Sequence, residues 1–178
     1  MEAFMQLLHT LNTVINKIVG QVLTVVFGAM VVIIFAQVIF RYVLVMPLSW
    51  SEELARFLFV WATFLGASIA FYDNSHIRVS FFVDSVRNVR ARGVVMLLAD
   101  AFSIMFLTMY VTEGMTISSR ILDMGQTSAS MEWLSIGVVY LAIPIGSLCM
   151  LLNVLMYTLR HLNMVVTGQP MATPASAH

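Results

Sequence analysis

The residues of this chain that could do chemistry are few, and most of them sit close together. Arg41, Glu52, Glu53 and Arg56 flank a short stretch around Pro47. Gln37 and Arg41 are i, i+4 neighbours, as are Glu52 and Arg56, so each pair shares one helix face. Ser49-Trp50-Ser51-Glu52 has the spacing of a capping box, with Ser49 as the cap and Glu52 reaching back to it. Pro47 enforces an extended approach, and Trp50 suits the boundary between bilayer and water. Both readings of this group stay open: a capped helix start with locally neutralised charge, or a polar contact surface for a partner. Further along, Asp100 is the one formal charge deep inside an apolar run, where an acid is costly and usually paired or functional. A structural hydrogen bond, or pairing with a partner subunit, is the expectation. A proton or sodium relay would want more than one such group.

Other chemistries find no support. His9, His76, His161 and His178 fall outside the apolar cores, whereas haem in a membrane anchor is held between histidines inside the spans. No metal-ligand spacing, phosphate loop or nucleophile–base pairing is present, so no catalytic residue, metal or cofactor is expected and the chain reads as no enzyme. Cys149 lies in an apolar run and reads as a small core hydrophobe. A formal net charge of zero offers no basic field for nucleic acid.

The elements that carry these residues follow from hydrophobicity. The chain is 60% hydrophobic and 10% charged, against roughly 45–50% and about 25% in soluble domains. A soluble protein of 178 residues could not bury that excess. Residues 19–40 carry no charge, enough for one helix to cross roughly 30 Å of hydrocarbon. No small-residue cleavage site follows that run, so it reads as a retained span rather than a signal peptide. The expected architecture is an all-α integral membrane domain over residues 1–163, with four transmembrane helices at about 18–45, 50–72, 93–115 and 133–160. Residues 164–178, rich in small residues and proline, read as a disordered tail.

Between the second and third spans, Val79, Phe82, Val83, Val86 and Val89 recur at helical spacing, with Arg78, Arg87, Arg90 and Arg92 among the polar positions. That pattern predicts an amphipathic helix at about 77–92, lying in the cytoplasmic headgroup layer or docked on a partner. Orientation follows from the basic residues. With both termini cytoplasmic, Lys17, Arg78, Arg87, Arg90, Arg92 and Arg160 lie inside, and Arg41, Arg56 and Arg120 outside.

Two sequence features predict helix packing. Ala62, Gly66 and Ala70 recur every fourth residue, which lets two helices approach closely inside a bilayer, whether the neighbour belongs to this chain or to another. Pro144 leaves the Tyr140 carbonyl without its helix partner and predicts a kink in the fourth span, with Gly146 and Ser147 just beyond. No internal repeat is visible of the kind that builds transporter binding sites.

Several of these segments resemble one known family. Arg41-Tyr42, the stretch from Pro47-Leu48-Ser49-Trp50-Ser51-Glu52-Glu53 to Leu54-Ala55-Arg56, Trp61, Phe64-Leu65-Gly66-Ala67, and His76-Ile77-Arg78-Val79 resemble the small permease subunit of TRAP transporters, the DctQ family. Tyr140-Leu141-Ala142-Ile143-Pro144-Ile145-Gly146 resembles that family's last-span motif. The resemblance implies a tripartite system in the bacterial inner membrane. A periplasmic substrate-binding protein (DctP-like) would capture an organic anion, a carboxylate or sialic acid. A large permease subunit (DctM-like) would move it by an elevator motion driven by sodium. This chain would pack against the large subunit's stationary scaffold and widen its footprint in the membrane lipid. On that view Arg41, Trp50, Glu52, Glu53 and Arg56 would face a partner on the outer side, and the Ala62–Gly66–Ala70 stripe the large subunit or lipid. The alternatives are a free-standing channel or exporter using Asp100, or a membrane anchor for an enzyme complex.

Overall fold

The computed structural model describes residues 2–46, 48–73 and 89–167. Helix α1 spans Glu2–Tyr42, α2 Ser49–Asp73, α3 Val89–Asp123, α4 Ile136–Tyr140 and α5 Ala142–Thr167. The fold is all-α. Among the described residues, four stretches are long and apolar enough to cross a membrane: Thr10–Tyr42, Ser49–Asp73, Val89–Asp123 and Ile136–Thr167. Large apolar side chains cover their outer faces, Val25 at 71% and Phe102 at 68% exposure among them. Water would oppose such a surface, and lipid accepts it.

Helix bounds differ from the sequence reading mainly at the ends. The first helix leaves helical geometry after Tyr42, so Val43, Leu44 and Val45 belong to a loop rather than to the span. The fourth span starts at Ile136, with Met131, Trp133 and Leu134 in the preceding loop. Met164 is buried and Thr167 ends α5, so residues 164–167 are helix instead of tail. Of the amphipathic helix expected at 77–92, Val89, Arg90 and Arg92 form the first turn of α3, and residues 77–88 lie outside the described residues. Residues 168–178 of the expected tail also lie outside them.

Connections are closed by specific caps. The α3 helix ends on a Schellman turn: Gly125 has φ +63°, its N–H bonds the Leu122 carbonyl, and the Gln126 N–H bonds that of Ile121. The loop returns through a short antiparallel bridge between Thr127 and Ser135. Ser135 then caps α4, accepting from the Gly137 N–H at 3.3 Å.

The fourth span is central to the packing. It is the most buried of the four, and α3 lies along it over most of its length. Leu107 of α3 packs with Met150 and Val154 of α5, flanked by Phe64 and Phe71 of α2. A smaller cluster joins Met96 and Met164. Close approach uses missing side chains. A Cβ on Gly146 would stand 2.6 Å from the Phe64 Cβ and 3.1 Å from its carbonyl oxygen, so only glycine lets α2 and α5 meet there. The α1 helix pairs chiefly with α2 and only lightly with α5, which leaves much of it uncovered.

Candidate functional site: an outer rim and two polar seams

The charged group around Pro47 does not form one cluster. Each member finds its own partner. Glu53, in the first turns of α2, accepts hydrogen bonds from the backbone N–H of Ser130 at 3.1 Å and from the Ser130 hydroxyl, tying α2 to the loop between α3 and α4. Glu52 pairs with Arg56 at 3.5 Å on the helix surface, both side chains about two-thirds exposed at 65% and 67%. The Arg41 guanidinium lies 6.0 Å from the centre of the Tyr42 ring. Trp50 is 41% exposed on the same rim. Helix α2 begins at Ser49, which places that residue inside the first turn instead of capping it. The Leu48 carbonyl takes the cap's role, accepting from the Ser51 N–H at 3.3 Å and the Ser51 hydroxyl at 2.8 Å.

The small-residue stripe faces inward at its centre. A Cβ on Gly66 would meet the Leu23 side chain of α1 at 3.9 Å, so the neighbour at Gly66 is within this chain. Ala62 and Ala70 are partly buried on the same helix. Pro144 lies one turn beyond Leu141, where α4 gives way to α5. A Cβ on Gly114 of α3 would stand 3.0 Å from the Pro144 ring, so the proline ring fills the space that glycine leaves.

Two polar seams run through the half of the bundle where α1 begins and α5 ends. In the first, Asp100 of α3 meets His161 of α5, Oδ2 to Nδ1 at 2.5 Å, with the side chains only 14% and 8% exposed. His161 therefore stands inside the bundle, on a helix that continues to Thr167, and not outside the apolar core as its sequence position implied. Ser103, on the following turn, spends its hydroxyl on the Ala99 carbonyl. In the second seam, Asn16 and Asn153 exchange amide hydrogen bonds at 2.9 and 3.1 Å. Asn153 also donates to the Ser68 carbonyl at 3.2 Å, and Asn16 to that of Asn12 at 2.8 Å. Tyr157 closes the seam by donating to the Tyr72 carbonyl at the end of α2, 2.6 Å away. Buried amides are costly in an apolar medium unless paired, and here each amide pairs with the other.

Sequence reasoning assigned no role to Asn16, Ser130, Asn153 or Tyr157. A usable signal existed: Asn16 and Asn153 are amide side chains within long apolar helices, and such groups need a partner.

Residues 30–164 match the family described as tripartite ATP-independent periplasmic transporters, DctQ component. The chain belongs to the DctQ family. Its four apolar helices make this DctQ protein a multi-pass protein of the inner membrane, and its family is a transporter component rather than an enzyme. A putative TRAP transporter small permease protein of Haemophilus influenzae is 32% identical over 80 residues, 45% of this chain and 50% of that one. The sialic acid TRAP transporter small permease protein SiaQ of Vibrio cholerae is 34% identical over 79 residues, 44% and 46% of the respective chains. The chain thus spans about half the length of these two relatives, at 50% and 46%. The isethionate TRAP transporter permease protein DctMQ of Oleidesulfovibrio alaskensis is 29% identical over 127 residues, 66% of this chain and 19% of that one.

Proposed function

We propose that this DctQ protein is the small membrane subunit of a tripartite transporter, holding a large permease subunit in place while that subunit moves an organic anion inward with sodium. The observation that carries this reading is how the deep polar groups are used. Asp100 and His161 pair with one another, Asn16 and Asn153 do the same, and Asn153 also bonds the Ser68 backbone carbonyl. A transport site presents polar groups to a substrate, typically on broken helices at the membrane centre. Here those groups hold helices together, which suits a scaffold. The same pairing argues against a free-standing channel built on Asp100.

In this reading a periplasmic binding protein delivers the substrate to the outer face, where Glu53 fixes the loop carrying Ser130 and the Glu52–Arg56 pair stays exposed. Both termini are cytoplasmic, and lipid covers the remaining apolar faces. Two relatives are named for sialic acid and isethionate, both organic anions.

The test is reconstitution. The small and large subunits, purified together and placed in liposomes with the binding protein, should take up a labelled organic anion only when an inward sodium gradient is imposed. Uptake should vanish when this chain is left out. Full uptake by the large subunit alone would end the scaffold reading.

A further inference from the structure

Beside the asparagine seam, α1 and α5 leave a groove between them. Leu11 and Ile15 of α1 form one wall, and Leu152, Leu155, Met156 and Leu159 of α5 the other, around a volume of about 500 Å³. The size is that of a small-molecule site, but the lining is hydrocarbon. Of the two polar residues on the walls, Thr158 spends its hydroxyl on the Val154 carbonyl at 2.9 Å. Asn12 accepts from Asn16 through its carbonyl and its Oδ1, at 2.8 and 3.1 Å, and its own Nδ2 donates to no described residue.

Helix register sets a cation level with that amide. Helix α5 runs parallel to α2: Phe64 lies beside Gly146, and the carbonyls of Ser68 and Tyr72 accept from Asn153 and Tyr157. Helix α1 runs antiparallel to both, since Gly20 faces Ile69, Leu23 faces Gly66, and Thr13 lies 3.5 Å from the Tyr72 hydroxyl. Asn12, one turn before Asn16, is therefore level with Tyr157, one turn after Asn153. Arg160 stands two turns beyond Asn153 on the same face of α5, the one that meets Asn16 of α1. Its guanidinium reaches back to the Tyr157 ring, 5.6 Å from the centre, and so to the level of Asn12. Arg160 pairs with no carboxylate among the described residues.

We propose that the groove is a site for one anionic phospholipid, with its phosphate at Arg160 and Asn12 and its acyl chains running past Leu155 and Ile15 toward Leu152. Both walls belong to stretches long and apolar enough to cross a membrane, Thr10–Tyr42 and Ile136–Thr167, so lipid is the medium that reaches them. The seven residues from Leu152 to Leu159 rise about 10 Å, which gives the groove a cross-section of roughly 50 Å², about half that of a helix with its side chains. A partner's helix is too thick to enter, whereas extended chains are not. Arg160 selects the headgroup. A cation without a carboxylate offers a phosphate a charge-assisted bond, and basic pockets between transmembrane helices hold anionic headgroups. A zwitterionic lipid would bring a second cation beside Arg160. Tyr72 and Tyr157, at the same level, are of the residue type that lines the headgroup layer. The site does not rest on the transporter reading.

The test is lipid retention by the purified full chain, read by native mass spectrometry with phosphatidylglycerol and phosphatidylcholine as the probes. Phosphatidylglycerol should be retained as one molecule per chain and in preference to phosphatidylcholine. Arg160→Gln should weaken its binding by about fivefold, whereas Lys17→Gln, at an exposed position on another side of α1, should leave it unchanged. Equal retention of the two lipids, or equal effects of the two substitutions, overturns the proposal. The position is read on the unaltered chain. A phosphatidylglycerol with a photoreactive acyl chain should crosslink to residues 11–15 and 152–159 above the rest of the apolar surface, and labelling spread evenly over the helices overturns the site. Leu155→Trp, which fills the groove, should abolish that crosslink, and its persistence would place the lipid elsewhere. Loss of the crosslink when a large permease subunit co-purifies would mean that protein covers the groove, and overturns lipid as its occupant.

Discussion

His161 of α5 holds Asp100 of α3 across the most extensive helix–helix seam of the bundle, Nδ1 to Oδ2 at 2.5 Å. The pair lies where Gly93 lets α3 approach Val165 and where Met96 meets Met164, so the polar contact is set among tight apolar ones. Removing one partner leaves the other buried without a mate. In steric-trapping or detergent unfolding measurements, Asp100→Ala and His161→Ala should each destabilise the fold, and the double variant should cost less than their sum. The coupling energy expected for an interhelical pair in a membrane is about 1–2 kcal/mol. Additive effects would mean that the contact contributes nothing.

The asparagine seam predicts a different pattern. Asn153→Leu leaves the buried Asn16 Oδ1 without its donor and should cost about 1–3 kcal/mol of stability. Replacing both amides, with Asn16→Leu and Asn153→Leu together, removes the unmet polar groups and should recover much of that loss. Thermal unfolding of the purified chain in detergent reads both.

Two glycines should respond in opposite ways to the same change. Gly146→Ala drives a methyl into the Phe64 backbone, which cannot yield, and should separate α2 from α5 at a cost of about 1–3 kcal/mol. Gly28→Ala meets nothing within 4 Å and should be neutral, or stabilising by up to about 1 kcal/mol through helix propensity. Matching losses at the two sites would contradict the packing described here.

At the start of α2, Glu53 and Glu52 separate a structural role from a contact role. Glu53→Ala should release the loop carrying Ser130, seen as faster hydrogen exchange at residues 126–135 with the helices unchanged. Glu52→Lys breaks only an exposed i, i+4 pair, worth under about 0.5 kcal/mol. A loss of uptake or of subunit co-purification on Glu52→Lys would therefore report a partner contact. If both stay at wild-type levels, Glu52 has no partner role.

Much of the architecture was legible because a bilayer imposes simple terms. An uncharged stretch such as residues 19–40 has few options but to span as a helix, since its backbone must satisfy itself. That constraint, with the motif around Trp50 and Glu53, was enough for the span count and the family. Helix ends were less legible: Val43 and Trp133 are as apolar as their neighbours, yet both lie in loops, because turn geometry at Val45 and the bridge between Thr127 and Ser135 determine where each helix stops.

What the sequence by itself determined is thus the solvent, the class and the number of spans, each a property of local composition along a single helix. Only the tertiary structure decided that Asp100 belongs with His161, Asn16 with Asn153, Glu53 with Ser130, and Gly66 with Leu23. These partners are far apart in the chain, and their meeting depends on the register between helices. Register is set by close packing at positions such as Gly146 and Phe64. No spacing within one helix encodes it.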